Sequence, residues 1–183
     1  MDRSPPDRPL SGRSALNAVA DARAGPPRRV LFLCTGNTCR SPLAEVIARD
    51  EASRRGLELD VGSAGVWAAT GLPASGGAEI VARRHGLDLS PHAALRFTRG
   101  LAESMDLILA MEDGHLGLAR DLAPEVPSYL LTEYLPESDP RRGGQVPDPV
   151  GGRVARYEEA FDLLKASISG FLDHLSVTGS LSE

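Results

Sequence analysis

Cys34 and Arg40 stand six positions apart in Cys-Thr-Gly-Asn-Thr-Cys-Arg, with Ser41 and Pro42 directly after. A cysteine thiolate is a strong nucleophile, and the planar fork of an arginine can grip two oxygens of one oxyanion. The intervening residues give the backbone room to curl so that successive N–H groups converge on an anion. Gly36 is expected to supply the φ value that other residues resist. Arg40 and a helix N-terminus beside Cys34 are expected to bring its pKa from about 8.5 to roughly 3.5 to 7.5, leaving a thiolate at neutral pH. The motif therefore reads as a loop that holds a phosphate and presents a nucleophile to it. Taken alone, it competes evenly with a structural reading in which Cys34 is a small buried apolar group and Arg40 a surface charge.

The neighbouring elements decide between the two. Val30-Leu31-Phe32-Leu33 is a short apolar run, as in a buried strand, and Ser41-Pro42 before Leu43, Ala44, Val46 and Ile47 reads as a helix start. Cys34 then sits where a strand becomes a helix. In an open α/β sheet, ligands bind at the carboxyl ends of the strands, and a helix N-terminus there offers free N–H groups to an anion. A nucleotide-hydrolase loop would need a lysine after its second glycine, and the only lysine of the chain is Lys165.

Further along, Pro42 to about Gly56 is a predicted helix, Leu57 to Ser63 a half-buried strand, and Ala64-Gly65-Val66-Trp67 the start of a loop running to Pro73. A second helix is expected from about Ala74 to His85, a short one capped by Thr98, and a central strand at Leu107 to Met111. Glu112 and Asp113 suit the first turn of a helix to Leu122, and Val126 to Leu131 a fourth strand. Thr132 to Gly152 is a loop long enough to suggest a functional role. The last helix carries Val154, Tyr157, Phe161, Leu164, Ile168, Phe171 and Leu175 in steps of three and four, a continuous apolar stripe. The fold class is α/β: three layers, α/β/α, around a four-stranded parallel sheet.

With 183 residues and 42% hydrophobic content, one domain with a sizeable core is expected. Its bounds are placed at residues 29–176, between a disordered tail over 1–28 and a flexible C-terminus over 177–183. Residues 1–29 hold six Arg against three Asp, so the chain's net −5 becomes −8 for the rest. An acidic body argues against a nucleic-acid partner. Two cysteines suit a reducing cytoplasm rather than a disulfide framework. No stretch has the length of a signal-peptide core or a membrane span. His85, His92, His115 and His174 show no metal-ligand spacing and read as surface or helix-end residues. No metal and no cofactor are expected.

Cys34 to Pro42 resembles the active-site loop of the low-molecular-weight protein tyrosine phosphatases, and the likeness extends over roughly residues 29 to 175. Gly62-Ser63-Ala64-Gly65, Asp106 to Met111 and Asp148-Pro149 complete it, in that order. The resemblance implies that Cys34 attacks phosphorus to give a phosphocysteine, that Arg40 binds the equatorial oxygens, and that Asp148 protonates the leaving group and then activates water. Alone, Asp-Pro is more often a turn former. Asn37 is similar to the residue that holds the loop in shape. Ser41 is similar to the hydroxyl that bonds the thiolate, although a plain helix N-cap explains it equally well. Cys39 resembles a cysteine that forms a reversible disulfide with the nucleophile; a packed thiol is the alternative. Thr35, Gly36, Asn37, Thr38, Cys39, Ser41, Trp67 and Val150 form the implied substrate-binding set.

The chain has Thr38 where the eukaryotic pattern has a bulky aliphatic residue, and Val150-Gly151-Gly152 where it has tyrosines. Thr38 with Asp-Pro-x-Gly-Gly resembles the bacterial branch that includes protein arginine phosphatases, which puts phosphoarginine slightly ahead of phosphotyrosine. The implied partner is a phosphorylated protein, and the implied state a monomer. Arsenate reduction with an external thiol and a non-catalytic phosphate-binding module are the alternatives.

Overall fold

The computed structural model describes residues 26–179. Strand β1 (Arg29–Cys34) leads through the loop into helix α1 (Arg40–Arg54), followed by β2 (Asp60–Gly65), α2 (Gly76–Arg84), α3 (Arg99–Glu103) and β3 (Leu107–Ala110). Helix α4 (Asp113–Leu122), β4 (Ser128–Leu130), a 3-10 turn (Leu131–Tyr134) and α5 (Val154–Gly179) complete the chain. All strand pairs are parallel, in the order β2-β1-β3-β4. The strand bearing Cys34 therefore lies inside the sheet, against β3 on one side and β2 on the other.

Alternation along β1 builds both faces of the core. Val30, Phe32 and Cys34 join the cluster that contains Leu43 and Ile47 of α1, Val81 of α2 and the stripe of α5. Leu31 and Leu33 face the opposite cluster, with Ala102 of α3 and Ala119 of α4. The result is the three-layer α/β/α arrangement. The α5 stripe is buried at Tyr157, Phe161, Leu164, Ile168, Phe171 and Leu175. Each such side chain contributes roughly 1.5–3 kcal/mol on leaving water.

Several boundaries differ from the sequence reading. Strand β2 begins at Asp60, opposite Arg29, and continues to Gly65, opposite Cys34, through the small residues that read as a loop. Pairing with β1 outweighs their low strand propensity. Helix α2 starts after Ser75, whose hydroxyl accepts from Ala78 N–H. Strand β4 keeps only three residues and passes into the 3-10 turn. Helix α5 continues through Gly179, past the expected C-terminal boundary. Residues 1–25 and 180–183 of the expected tails lie outside the described residues. Asp106 lies at the far end of the sheet, where its carboxylate accepts from the N–H groups of Arg28 and Arg29 at 3.1 and 2.9 Å. That part of the motif set fastens the fold rather than the site.

Candidate active site

The loop between β1 and α1 is held by Asn37, the only non-glycine with positive φ (53°) among the described residues. Asparagine tolerates that region better than most residues. Its Nδ2 donates to Ser41 Oγ at 2.9 Å and Ser63 Oγ at 2.8 Å, and its Oδ1 accepts from Leu95 N–H at 2.7 Å. Its carbonyl oxygen meets His92 Nε2 at 2.7 Å. The left-handed residue is thus Asn37 and not Gly36, where an added Cβ would meet only ordinary contact with Thr38. The indispensable glycine is Gly65 at the end of β2. A Cβ there would lie 2.6 Å from the Thr35 carbonyl oxygen and 2.7 Å from Asn37 N.

Cys34 is buried, with Ser41 Oγ 2.9 Å from its Sγ and Asn37 N–H donating to the sulfur at 3.3 Å. Burial pushes its thiol up, and outweighs the lowering by Ser41, Arg40 and Asn37. The direction is opposite to the lowering expected from the sequence.

Arg40, only 2% exposed, donates through Nη1 to Glu112 Oε2 at 2.9 Å and to the Val146 carbonyl at 3.1 Å. Through Nη2 it donates to Asp148 Oδ2 at 2.8 Å and Thr35 Oγ1 at 3.2 Å. Asp148 reaches this point because Val146 N–H donates to the Met111 carbonyl at 2.8 Å, fastening the long loop to the end of β3. Its Oδ1 also accepts from Val150 N–H at 3.1 Å.

Ser41 is not the helix N-cap. Helix α1 begins at Arg40, so the hydroxyl is left for Cys34 and the Ala64 carbonyl. Cys39, which precedes the helix, turns its thiol to Ser75 Oγ at 3.1 Å, and both cysteines are free. Thr38 is half-buried, with its hydroxyl 3.7 Å from Cys39 Sγ. Trp67, 67% exposed, is tied to the loop by its backbone N–H, which donates to the Thr35 carbonyl at 2.8 Å, and Arg96 lies over its ring at 5.1 Å. Val150 is 62% exposed beside Asp148.

Two participants escaped the sequence reading. From sequence, Glu112 reads as a first-turn helix residue and His115 as a surface or helix-end residue. His115 is 3% exposed, with Nε2 at 2.9 Å from Thr35 Oγ1, and His92 is drawn inward to Asn37. The usable signal was their position just past a central strand, where β3 ends beside β1. Among the described residues no group of His, Cys, Asp and Glu could hold a metal ion, and no helix is long and apolar enough to cross a membrane.

The arrangement can bind a tetrahedral anion under the α1 N-terminus, attack it with sulfur and exchange a proton through a carboxyl group. The family model for low molecular weight phosphotyrosine protein phosphatases matches residues 29–180. A low molecular weight protein-tyrosine-phosphatase of Streptomyces coelicolor is 36% identical over 151 residues, covering 79% of this chain and 91% of the relative. A protein-arginine-phosphatase of Bacillus subtilis is 37% identical over 144 residues, covering 74% and 89%. Among solved structures, a mutant of the arginine phosphatase YwlE with a phosphorylated active-site serine superposes with a TM-score of 0.74. It is 33% identical to this chain, with 81% of this chain and 95% of that one covered.

Proposed function

This chain belongs to the low molecular weight phosphotyrosine protein phosphatase family, and on that premise we propose that it dephosphorylates proteins through a phosphocysteine, with phosphoarginine favoured over phosphotyrosine. The observation that carries the reading is the convergence on one loop of a sulfur nucleophile, a buried guanidinium and a carboxyl group from the Asp-Pro segment. Cys34, as the thiolate, attacks phosphorus while the bond from phosphorus to the leaving nitrogen or oxygen breaks. Asp148 gives its proton to that atom. Water then attacks the phosphocysteine, its proton passes to the Asp148 carboxylate, and phosphate departs with the thiolate restored. Arg40 and the loop N–H groups hold the equatorial oxygens throughout. The same carboxyl group serves as acid and then base, because a phenol or guanidine leaves poorly unless protonated.

The preference rests on Thr38 at the loop and on Val150 after Asp-Pro, which leaves the aromatic wall to Trp67 alone. A site that hydrogen-bonds a polar group rejects analogues lacking it far more strongly than an apolar wall discriminates shape. The test compares kcat/KM on phosphoarginine and phosphotyrosine proteins for the wild type and Thr38→Ile. The ratio is expected to swing toward phosphotyrosine; an unmoved ratio removes Thr38 as the selector.

A further inference from the structure

The contacts around Arg40 close into a ring. Arg40 Nη1 meets Glu112 Oε2 at 2.9 Å, and Glu112 Oε1 meets His115 Nε2 at 3.3 Å. His115 Nε2 meets Thr35 Oγ1 at 2.9 Å, and Thr35 Oγ1 returns to Arg40 Nη2 at 3.2 Å. His115 touches one acceptor at each end of the guanidinium, Glu112 on the Nη1 side and Thr35 on the Nη2 side.

We propose that His115 is a positioning residue for the phosphate cradle, holding Thr35 as a hydrogen-bond donor and fixing the plane of the Arg40 guanidinium through Thr35 and Glu112. This deepens the phosphatase reading and rests on it.

The proton arrangement follows from what surrounds the ring. His115 Nδ1 is buried with no partner, so a proton there would be an N–H without an acceptor. A lone pair on Nε2 would also face the Glu112 carboxylate. Both conflicts disappear when the proton sits on Nε2, shared between Thr35 and Glu112. Burial, assisted by the Arg40 charge, lowers the imidazole pKa against the pull of Glu112 and Asp148, which favours the neutral ring. Thr35 Oγ1 then accepts from both His115 and Arg40. Its lone pairs are filled, so its own O–H can only donate, which is the polarity an anion held by Arg40 requires.

The experiment measures binding of inorganic phosphate to the full chain by calorimetry, alongside turnover of a series of aryl phosphates. His115→Leu is expected to weaken phosphate binding about tenfold, with kcat/KM falling by the same factor for every leaving group. His115→Gln retains an N–H at comparable reach and is expected to stay within about threefold of wild type. Thr35→Val is expected to reproduce the loss, and the double variant to add nothing further, as for residues acting in series. Unchanged phosphate affinity in His115→Leu overturns the proposal, as does independent multiplication of the two losses. If His115→Leu fails to fold, unaltered binding in Thr35→Val overturns it equally. Wild type that binds phosphate but hydrolyses no phosphoester or phosphoramidate would instead overturn the phosphatase reading, leaving the binding comparison intact.

Discussion

Asp148 Oδ2 and Arg40 Nη2, 108 residues apart in the chain, are hydrogen-bonded at 2.8 Å. The carboxyl group proposed for proton transfer is therefore held at the loop by the guanidinium proposed to bind the phosphate. Three bonds set up that meeting: Val146 N–H to Met111, the Val146 carbonyl to Arg40, and Val150 N–H to Asp148 itself.

Replacing Asp148 by Ala is expected to slow hydrolysis by roughly 10²- to 10⁴-fold for alkyl and phenyl phosphates. Aryl phosphates whose leaving groups are stable anions should lose far less. The leaving-group slope of kcat/KM is the measurement, and an equal loss across the series would remove Asp148 as the acid.

Cys34→Ser should retain phosphate binding and lose turnover, since the loop N–H groups and Arg40 stay in place while the sulfur nucleophile is gone. Phosphate titration and aryl phosphate hydrolysis read the two properties separately. Appreciable residual hydrolysis would exclude the phosphocysteine route.

Glu112→Gln removes one of the two carboxylates that compensate Arg40. The freed positive charge should stabilise the Cys34 thiolate and move the pH profile of its alkylation by iodoacetamide to lower pH. A profile that stays in place, or moves upward, would show that Glu112 does not govern the charge felt by the sulfur.

Gly65→Ala drives a methyl group against the backbone of Thr35, Gly36 and Asn37. Overpacking of that kind costs about 1–3 kcal/mol, and it falls on the loop that must hold the anion. Urea unfolding followed by circular dichroism and phosphate titration should both deteriorate, whereas Gly76→Ala, with open space around its Cβ, should leave phosphate binding intact.

Buried His115 and half-buried His174 both have lowered pKa values, desolvation being the leading cause in each. Unfolding restores them toward 6.5, so the unfolded chain binds more protons below that pH. Their contribution to stability is whole above about pH 6.5 and is lost as pH falls toward the folded values. Urea midpoints between pH 7.5 and 5.5 should fall with acidification, and His115→Leu should flatten part of that slope.

How much of this was legible in the chain depends on the range of the forces involved. The α5 stripe and the Thr98 cap are local patterns and appear in the structure as read, and the Cys34 to Pro42 segment does join a strand to a helix. The end of strand β2 misled because Ala64 and Gly65 have little strand propensity of their own, and only pairing with Leu33 and Cys34 of β1 makes them strand. Gly36 misled because a glycine in a loop invites a positive φ that the bonded side chain of Asn37 supplies instead. Glu112 and His115 were missed because β3 brings them to Arg40 and Thr35 across 72 and 80 residues of sequence.

Trp67 is the sole tryptophan of the chain, and it stands 67% exposed while its backbone N–H donates to the Thr35 carbonyl. The chain thus carries one intrinsic fluorophore at the rim of its anion loop. Its emission should be red-shifted in the native protein already, so unfolding will change the wavelength little. Quenching or brightening on addition of oxyanions would instead give a label-free optical readout of occupancy.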